Sequence, residues 1–337
     1  MASLTTIANQ QRLSVLRAFN AVIASIRDSA TLADLTTLIE QGRIDQVIDM
    51  LQLDRATFAP LEQAIAEAYR TGGETAMGQI GRVPVDGMDM RMVFDVRSPA
   101  AEAWLSQSSG RIVEIIDEQR IVVRQALQAG MAAGNNPRTT ALDIVGRIDS
   151  VRRVRVGGLL GLTEQQAGWV ANAREELLNL DANYFTRALR DKRFDATVRR
   201  AIEDGKPLTR DQIDKAITQM QNRAQRYRGE TVARTESLNA LRAGHHDAVA
   251  QAIEAGDVDA QDVEREWSSS GGGRTRDAHI EADGQRVKAG QPFIVGGELM
   301  MYPGDPAGSP ENTINCRCSE ITRIDFAGKV RRLESFG

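Results

Sequence analysis

The chain has 337 residues, 42% of them hydrophobic and 26% charged, and its 42 basic side chains against 46 acidic ones leave a net charge of −4. That length suggests two or three domains with cores of ordinary size. With only 4% aromatic residues there are few stacking platforms for single-stranded nucleic acid, and the overall acidic balance sets up no field that draws in a duplex. No run of 18 apolar residues occurs, and the first twenty residues lack a basic stretch followed by an apolar one, so neither membrane spanning nor secretion is expected. Cys316 and Cys318, the two cysteines, stand one residue apart. This is too close for an ordinary disulfide staple, and the chain reads as the product of a reducing compartment.

The charge is unevenly spread. Residues 1–136 carry 12 basic and 16 acidic side chains, residues 137–230 carry 18 and 13, and residues 231–337 carry 12 and 17. A basic middle therefore lies between two acidic ends. A solvated helix surface explains it, and so does an anionic partner.

In chain order, Leu13, Leu16, Phe19, Val22, Ile23 and Ile26 recur at three-to-four spacing and predict an amphipathic helix. Leu35, Leu38 and Ile39 predict a second, interrupted by Gly42, and Ile44, Val47, Ile48 and Leu51 a short third. After Pro60 the row Leu61, Ile65, Ala68, Tyr69 predicts a helix stopping at Gly72 and Gly73. Residues 81–97 lose the helical period: Pro84 and Gly87 punctuate while Met90, Met92, Phe94 and Val96 alternate, which reads as an extended linker or edge strand at a domain boundary. Ser98 then caps a long helix opening at Pro99, with Ile112, Ile115, Ile116, Gln119, Val123, Ala126 and Leu127 on one face, until Gly130 and Gly134 end it.

Thr163 with Gln166 and Thr209 with Gln212 are capping boxes, the second with a Leu208 to Ile213 staple. The helix from Thr209 runs through Ile213, Ile217, Met220, Ala224 and Tyr227 toward one or two more helices that end at Gly256, with His245 and His246 at a helix start or kink after Gly244. From residue 257 the character changes. Glycines cluster at 271–273, Asp283-Gly284 is a turn dipeptide, Gly296-Gly297 separates two apolar runs, and Pro303, Pro306 and Pro310 punctuate a loop. A small β-rich module is expected, its strands holding Trp267, Val287, Phe293 to Val295, Leu299 to Tyr302 and Ile314 to Ile324. The fold class is mainly α with a C-terminal α+β module. The domains expected are 1–97, helical with a linker; 98–230, helical and basic; 231–325, the β-containing module; and 326–337, a tail.

Within that module six elements follow one another in order: Arg234-Thr235-Glu236 on a helix, Trp267, Arg276 with His279, the Asp283-Gly284 turn, Pro303-Gly304-Asp305, and a closing Asn315-Cys316-Arg317-Cys318. Together they resemble the phage Mu F-like minor head proteins, also called head morphogenesis proteins, with an added Ser/Gly-rich insertion at residues 268–273. The resemblance spans residues 163–323 at most. It implies a virion component at the portal vertex or inside the head, made in the host cytoplasm. Such a protein would act in head morphogenesis and in DNA packaging or ejection, with portal, major capsid or scaffolding protein as partners and no membrane. It implies no enzymatic activity. The alternative is an injected effector, a nuclease that is either zinc-dependent or built on His279 as general base.

Cys316 and Cys318, two apart on a presumed strand, would share a face that His279 can reach, and thiolates with an imidazole are zinc ligands. His245, His246, Asp277 or Asp283 would supply a fourth. The other reading is two packed thiols beside a hydrogen-bonded histidine, with no cofactor. Arg234 and Glu236 point different ways along a helix and are expected to brace it against the module. Arg152, Arg153, Arg155, Arg187, Arg190, Lys192, Arg193, Arg199 and Arg200 are the expected contacts to packaged double-stranded DNA or an acidic partner surface.

Overall fold

A computed structural model of the chain describes residues 4–80, 82–85, 88–91, 93–326 and 328. The readings at Gly87 and Met92, and most of the 326–337 tail, lie outside the described residues. The fold is mainly helical, with small antiparallel sheets concentrated toward the C-terminus. No helix among the described residues is long and apolar enough to cross a membrane. The helices are α1 (Leu4–Asp28), α2 (Leu32–Glu40), α3 (Ile44–Met50), α4 (Arg55–Ile80), α5 (Pro99–Ala132), α6 (Pro137–Val145), α7 (Glu164–Leu178), α8 (Asp195–Asp204), α9 (Arg210–Glu254), and two short ones, α10 (Asp277–Glu281) and α11 (Pro310–Thr313). The strands are β1 (Arg82–Val85), β2 (Met88–Arg91), β3 (Arg147–Ile148), β4 (Arg155–Val156), β5 (Val263–Ser268), β6 (Arg286–Lys288), β7 (Phe293–Val295), β8 (Glu298–Met300) and β9 (Ser319–Ile324).

The chain forms two compact units, each discontinuous in sequence. One gathers residues 1–16, 61–109 and 231–337, the other residues 17–60 and 110–230. In the second unit, Leu162, Val170, Leu177, Tyr184, Val198, Ile213, Ile217 and Met220 form the core beneath α7, α8 and the first turns of α9. Both capping boxes are present: Thr163 Oγ1 accepts from the Gln166 amide at 3.1 Å and Gln166 Oε1 from the Thr163 amide, with the same pair of bonds between Thr209 and Gln212. The loop 157–162 has no ladder of its own, so its backbone is satisfied by amide side chains. Gln221 and Asn222 accept from the Gly158 and Gly157 amides, Gln225 donates to both glycine carbonyls, and buried Gln119 spans Gly161 and Leu162.

Several element ends differ from expectation, and the reasons are tertiary. Helix α4 begins before Pro60 and continues through Gly72 and Gly73. In the first unit a Cβ on Gly72 would lie 2.1 Å from the Leu241 carbonyl oxygen, one on Gly244 would lie 2.0 Å from that of Tyr69, and one on Gly73 would enter the Phe94 ring. These glycines permit a close crossing of α4 and α9 instead of stopping a helix. Likewise α9 is one helix of 45 residues, and His245 and His246 sit inside it, far from its start. Leu13 is exposed, and Val15 takes the buried position on α1 instead. Residues 82–85 and 88–91 form a hairpin, Arg82 opposite Arg91. Phe94 just beyond it packs on Tyr69, whose ring stacks on Trp104 at 4.8 Å.

The C-terminal module is a three-stranded antiparallel sheet, ordered β6, β5, β9, with a β7–β8 hairpin beside it. Val295 pairs with Glu298 across the two-residue turn Gly296-Gly297, where both φ angles are positive (58° and 82°). Glycine meets that demand on both residues without strain. The strands are shorter than expected: Met301 and Tyr302 lie past β8, and residues 314–318 form a loop between α11 and β9.

Candidate functional site

Strand β5 alternates strictly, with Val263, Arg265 and Trp267 buried on one face. The Trp267 ring meets Phe293 edge-on at 5.5 Å and His279 at 5.6 Å. These residues, with Val295, Met300, Cys316 and Cys318, make the module's core. His279 lies in α10 and is 2% exposed. Cys316 and Cys318 lie in the loop ahead of β9, both buried and both free thiols. They were expected on a strand; loop backbone turns them to the same side.

His279 Nδ1 is 3.2 Å from Cys318 Sγ and 3.8 Å from Cys316 Sγ, and Nε2 is 3.2 Å from Asn312 Oδ1. The Asn312 amide has its orientation fixed, because Nδ2 donates to Glu298 Oε2 at 2.9 Å and to the Val295 carbonyl at 3.4 Å. Its oxygen therefore faces the imidazole and accepts, so Nε2 carries the proton and Nδ1 presents a lone pair to the two sulfurs. Bonds from Asn312 and Ser309 in turn hold the Glu298 carboxylate below its ordinary pKa. The two thiols are coupled. A hydrogen bond from Cys318, aided by the Arg242 charge, pulls Cys316 down against its burial. The proton retained in that bond, together with burial, pushes Cys318 up.

The other motif residues surround this core. Arg242 is the hub: its guanidinium donates to the carbonyls of Pro303 at 3.2 Å, Cys316 at 3.3 Å and Cys318. Arg234 Nη1 donates to Asn315 Oδ1 at 2.9 Å, and the Asn315 amide donates to Thr235 Oγ1 at 3.0 Å. Asn315 itself sits at φ +58°, in the left-handed region that asparagine tolerates. Glu236 is buried in the same stretch of α9. Arg276 donates to the Ile314 carbonyl at 2.6 Å, and Asp283 Oδ1 accepts the Ser269 amide at 2.6 Å while Gly284 turns at φ +75°. Asp305 folds the proline loop by accepting the Met301 and Ala307 amides, and Gly304 lies where a side chain would strike Asn239. Arg317, between the two cysteines, is exposed.

His245 and His246 sit elsewhere: His245 Nε2 is 3.0 Å from Thr322 Oγ1, His246 faces Arg265 and the Tyr302 ring, and burial lowers both to about 4. Among the described residues, the cluster of potential metal donors is His279, Cys316 and Cys318 alone, without either of these histidines, Asp277 or Asp283. A general base must reach its substrate, and His279 is walled in by Trp267 and Asn312. Sequence reasoning missed Arg242, Arg265 and Asn312. Only Arg265 left a signal, a charged residue at the core phase of an alternating strand.

The basic middle is partly spent internally. Arg155 pairs with Asp28, Arg187 with Glu176, Arg190 with Asp195, and Arg193 with buried Asp191. Arg199 lies over the Phe185 ring at 5.4 Å. Arg152, Arg153, Lys192, Arg199 and Arg200 are exposed.

Residues 192–321 match the family model described as phage Mu protein F like protein. The chain carries a phage Mu F-like region. An uncharacterized protein of Bacillus subtilis (strain 168), YqbB, is 33% identical over 97 residues, covering 28% of this chain and 30% of that protein. No solved structure matches the chain. The F-like region opens ahead of α8, takes in all of α9, and closes within β9, so it contains every one of the six motif elements.

Proposed function

We propose that the protein is a bacteriophage head morphogenesis protein that works by binding other virion proteins at the portal vertex or the inner face of the head. The observation that carries this reading is the F-like match over residues 192–321, joined to what the motif residues do. Thr235, Arg276, Asp283 and Asp305 hold loop backbone in place, and Arg234 holds the Asn315 side chain. A scaffold of that kind serves recognition by shape. The exposed basic side chains at 152, 153, 192, 199 and 200 add a surface suited to packaged DNA or to an acidic face of a partner.

Mass spectrometry of purified heads before and after DNA ejection tests the reading. The protein is expected in full heads at low copy number, and its absence from all particles would overturn the proposal. For the basic surface, a gel shift of the full chain with double-stranded DNA should give weak, sequence-blind binding that vanishes as salt rises. No shift at low salt leaves an acidic protein surface as the partner.

A further inference from the structure

We propose that His279, Cys316 and Cys318 bind one zinc ion, which ties α10 to the loop that feeds β9. The inference goes beyond the head-protein reading and stands on the geometry of the cluster. The three donor atoms lie within 4.8 Å of one another. In tetrahedral zinc sites the metal sits about 2.0–2.1 Å from nitrogen and about 2.3 Å from sulfur, which places ligand nitrogen and sulfur roughly 3.5 Å apart. The Nδ1 to Sγ distances of 3.2 Å and 3.8 Å bracket that value. An ion between the three atoms therefore fits both nitrogen–sulfur distances.

The second observation is the outer arrangement. A metal-binding imidazole usually donates its other N–H to an oxygen, which fixes the tautomer and turns the free lone pair on the ion. Asn312 Oδ1 performs that role at Nε2, and Asn312 is itself fixed by Glu298 and Val295. Two soft sulfurs with one imidazole select zinc over hard cations such as magnesium or calcium. Two thiolates and one dication sum to zero charge, so the loaded site suits the apolar surroundings of Trp267 and Phe293 better than two bare thiolates would. A water molecule completes the tetrahedron.

The ion would supply what the local secondary structure does not. Residues 314–318 have no ladder, yet they set where β9 begins, and β9 pairs with β5 along six residues from Val263–Ile324 to Ser268–Ser319. A zinc bond to each cysteine pins the two residues just ahead of that pairing to α10.

The test uses the full chain, purified under reducing conditions without a polyhistidine tag. Elemental analysis should give one zinc per chain. Replacement by Co2+ should give the visible absorption of a tetrahedral site with a thiolate charge-transfer band, and Cys318→Ser should abolish both signals. Asn312→Ala, which leaves the ligands in place, should weaken zinc binding about 10–100-fold. If Cys318→Ser does not fold, the cobalt spectrum of the unaltered chain still decides. A well-folded, reduced chain with no zinc and no cobalt spectrum overturns the proposal, as does a Cys316–Cys318 disulfide in freshly isolated protein. Metal content is read on the purified chain, so failure here leaves the head-protein reading standing, and absence from heads leaves the zinc site standing.

Discussion

In the unit formed by residues 17–60 and 110–230, arginine side chains end mostly on carboxylates: Arg187 on Glu176, Arg190 on Asp195, Arg174 on Asp214, and Arg193 with Arg223 on Asp191. In the C-terminal module Arg286 and Arg323 still pair with Glu266, but three arginines collect backbone carbonyls. Arg242 holds those of residues 303, 316 and 318, Arg265 those of 291 and 301, and Arg276 that of 314. The difference follows the secondary structure. Long helices satisfy their own backbone, so arginines on them are free to pair with acids. A module of short strands and long loops leaves carbonyls that a five-donor planar cation can collect several at a time. Ion pairs with exposed members are screened by salt, whereas buried guanidinium-to-carbonyl bonds are not.

The comparison breaks first at Arg242. Its replacement by Ala leaves three carbonyls short of a donor and should cost about 3–5 kcal/mol, on the scale of losing a hydrogen-bonded buried charge. Lysine should recover little, because a single ammonium cannot reproduce the planar fork. Denaturant unfolding of the full chain checks both, and a loss under 1 kcal/mol would show that the carbonyls find other donors. Next, Gly244→Ala should cost about 1–3 kcal/mol through overpacking against the Tyr69 carbonyl. A melting temperature equal to that of the unaltered chain would mean that α4 and α9 can separate without penalty.

A third test uses acid. Burial lowers His245 and His246 to about 4, below the ordinary histidine value of 6.5. The unfolded chain then binds more protons between these values, so stability falls as pH drops from about 6.5 toward 4, by up to about 1.4 kcal/mol per pH unit for each histidine. Asp247 and Glu320, both raised by burial, titrate in the opposite sense. The difference between the unaltered chain and a His245→Gln/His246→Gln variant isolates the histidines. That difference should shift in the variant's favour on acidification, and parallel pH curves would refute it. The smallest effect belongs to the carboxylate-paired side: Arg193→Ala should lower stability least of these substitutions, and less still at high salt, because Arg193 is largely exposed and Arg223 still holds Asp191.

What could be read in the sequence was what neighbours along the chain decide. Thr163 and Gln166 are three residues apart, and the Gly296-Gly297 turn joins adjacent strands, so both were legible. Gly72 and Gly244 were misread as breakers because the atoms that require them lie about 170 positions away. The candidate metal donors were visible as residue types, and the Asn315-Cys316-Arg317-Cys318 string marked the end of the module. That His279 would turn Nδ1 to the sulfurs depended on Asn312, whose partners Glu298 and Val295 lie 14 and 17 positions earlier in the chain. Arg242 looked like any surface arginine on a helix until the loops it supports were in place.

The crossing of α4 and α9 through Gly72 and Gly244 also bears on the extent of the F-like region. The F-like region begins at residue 192 and contains α9, but α4 and the Tyr69, Phe94 and Trp104 rings lie outside it. The bounds of the matched segment do not coincide with those of either compact unit. Residues 192–321 taken alone would carry Gly244 without the Tyr69 carbonyl against which it packs in this chain.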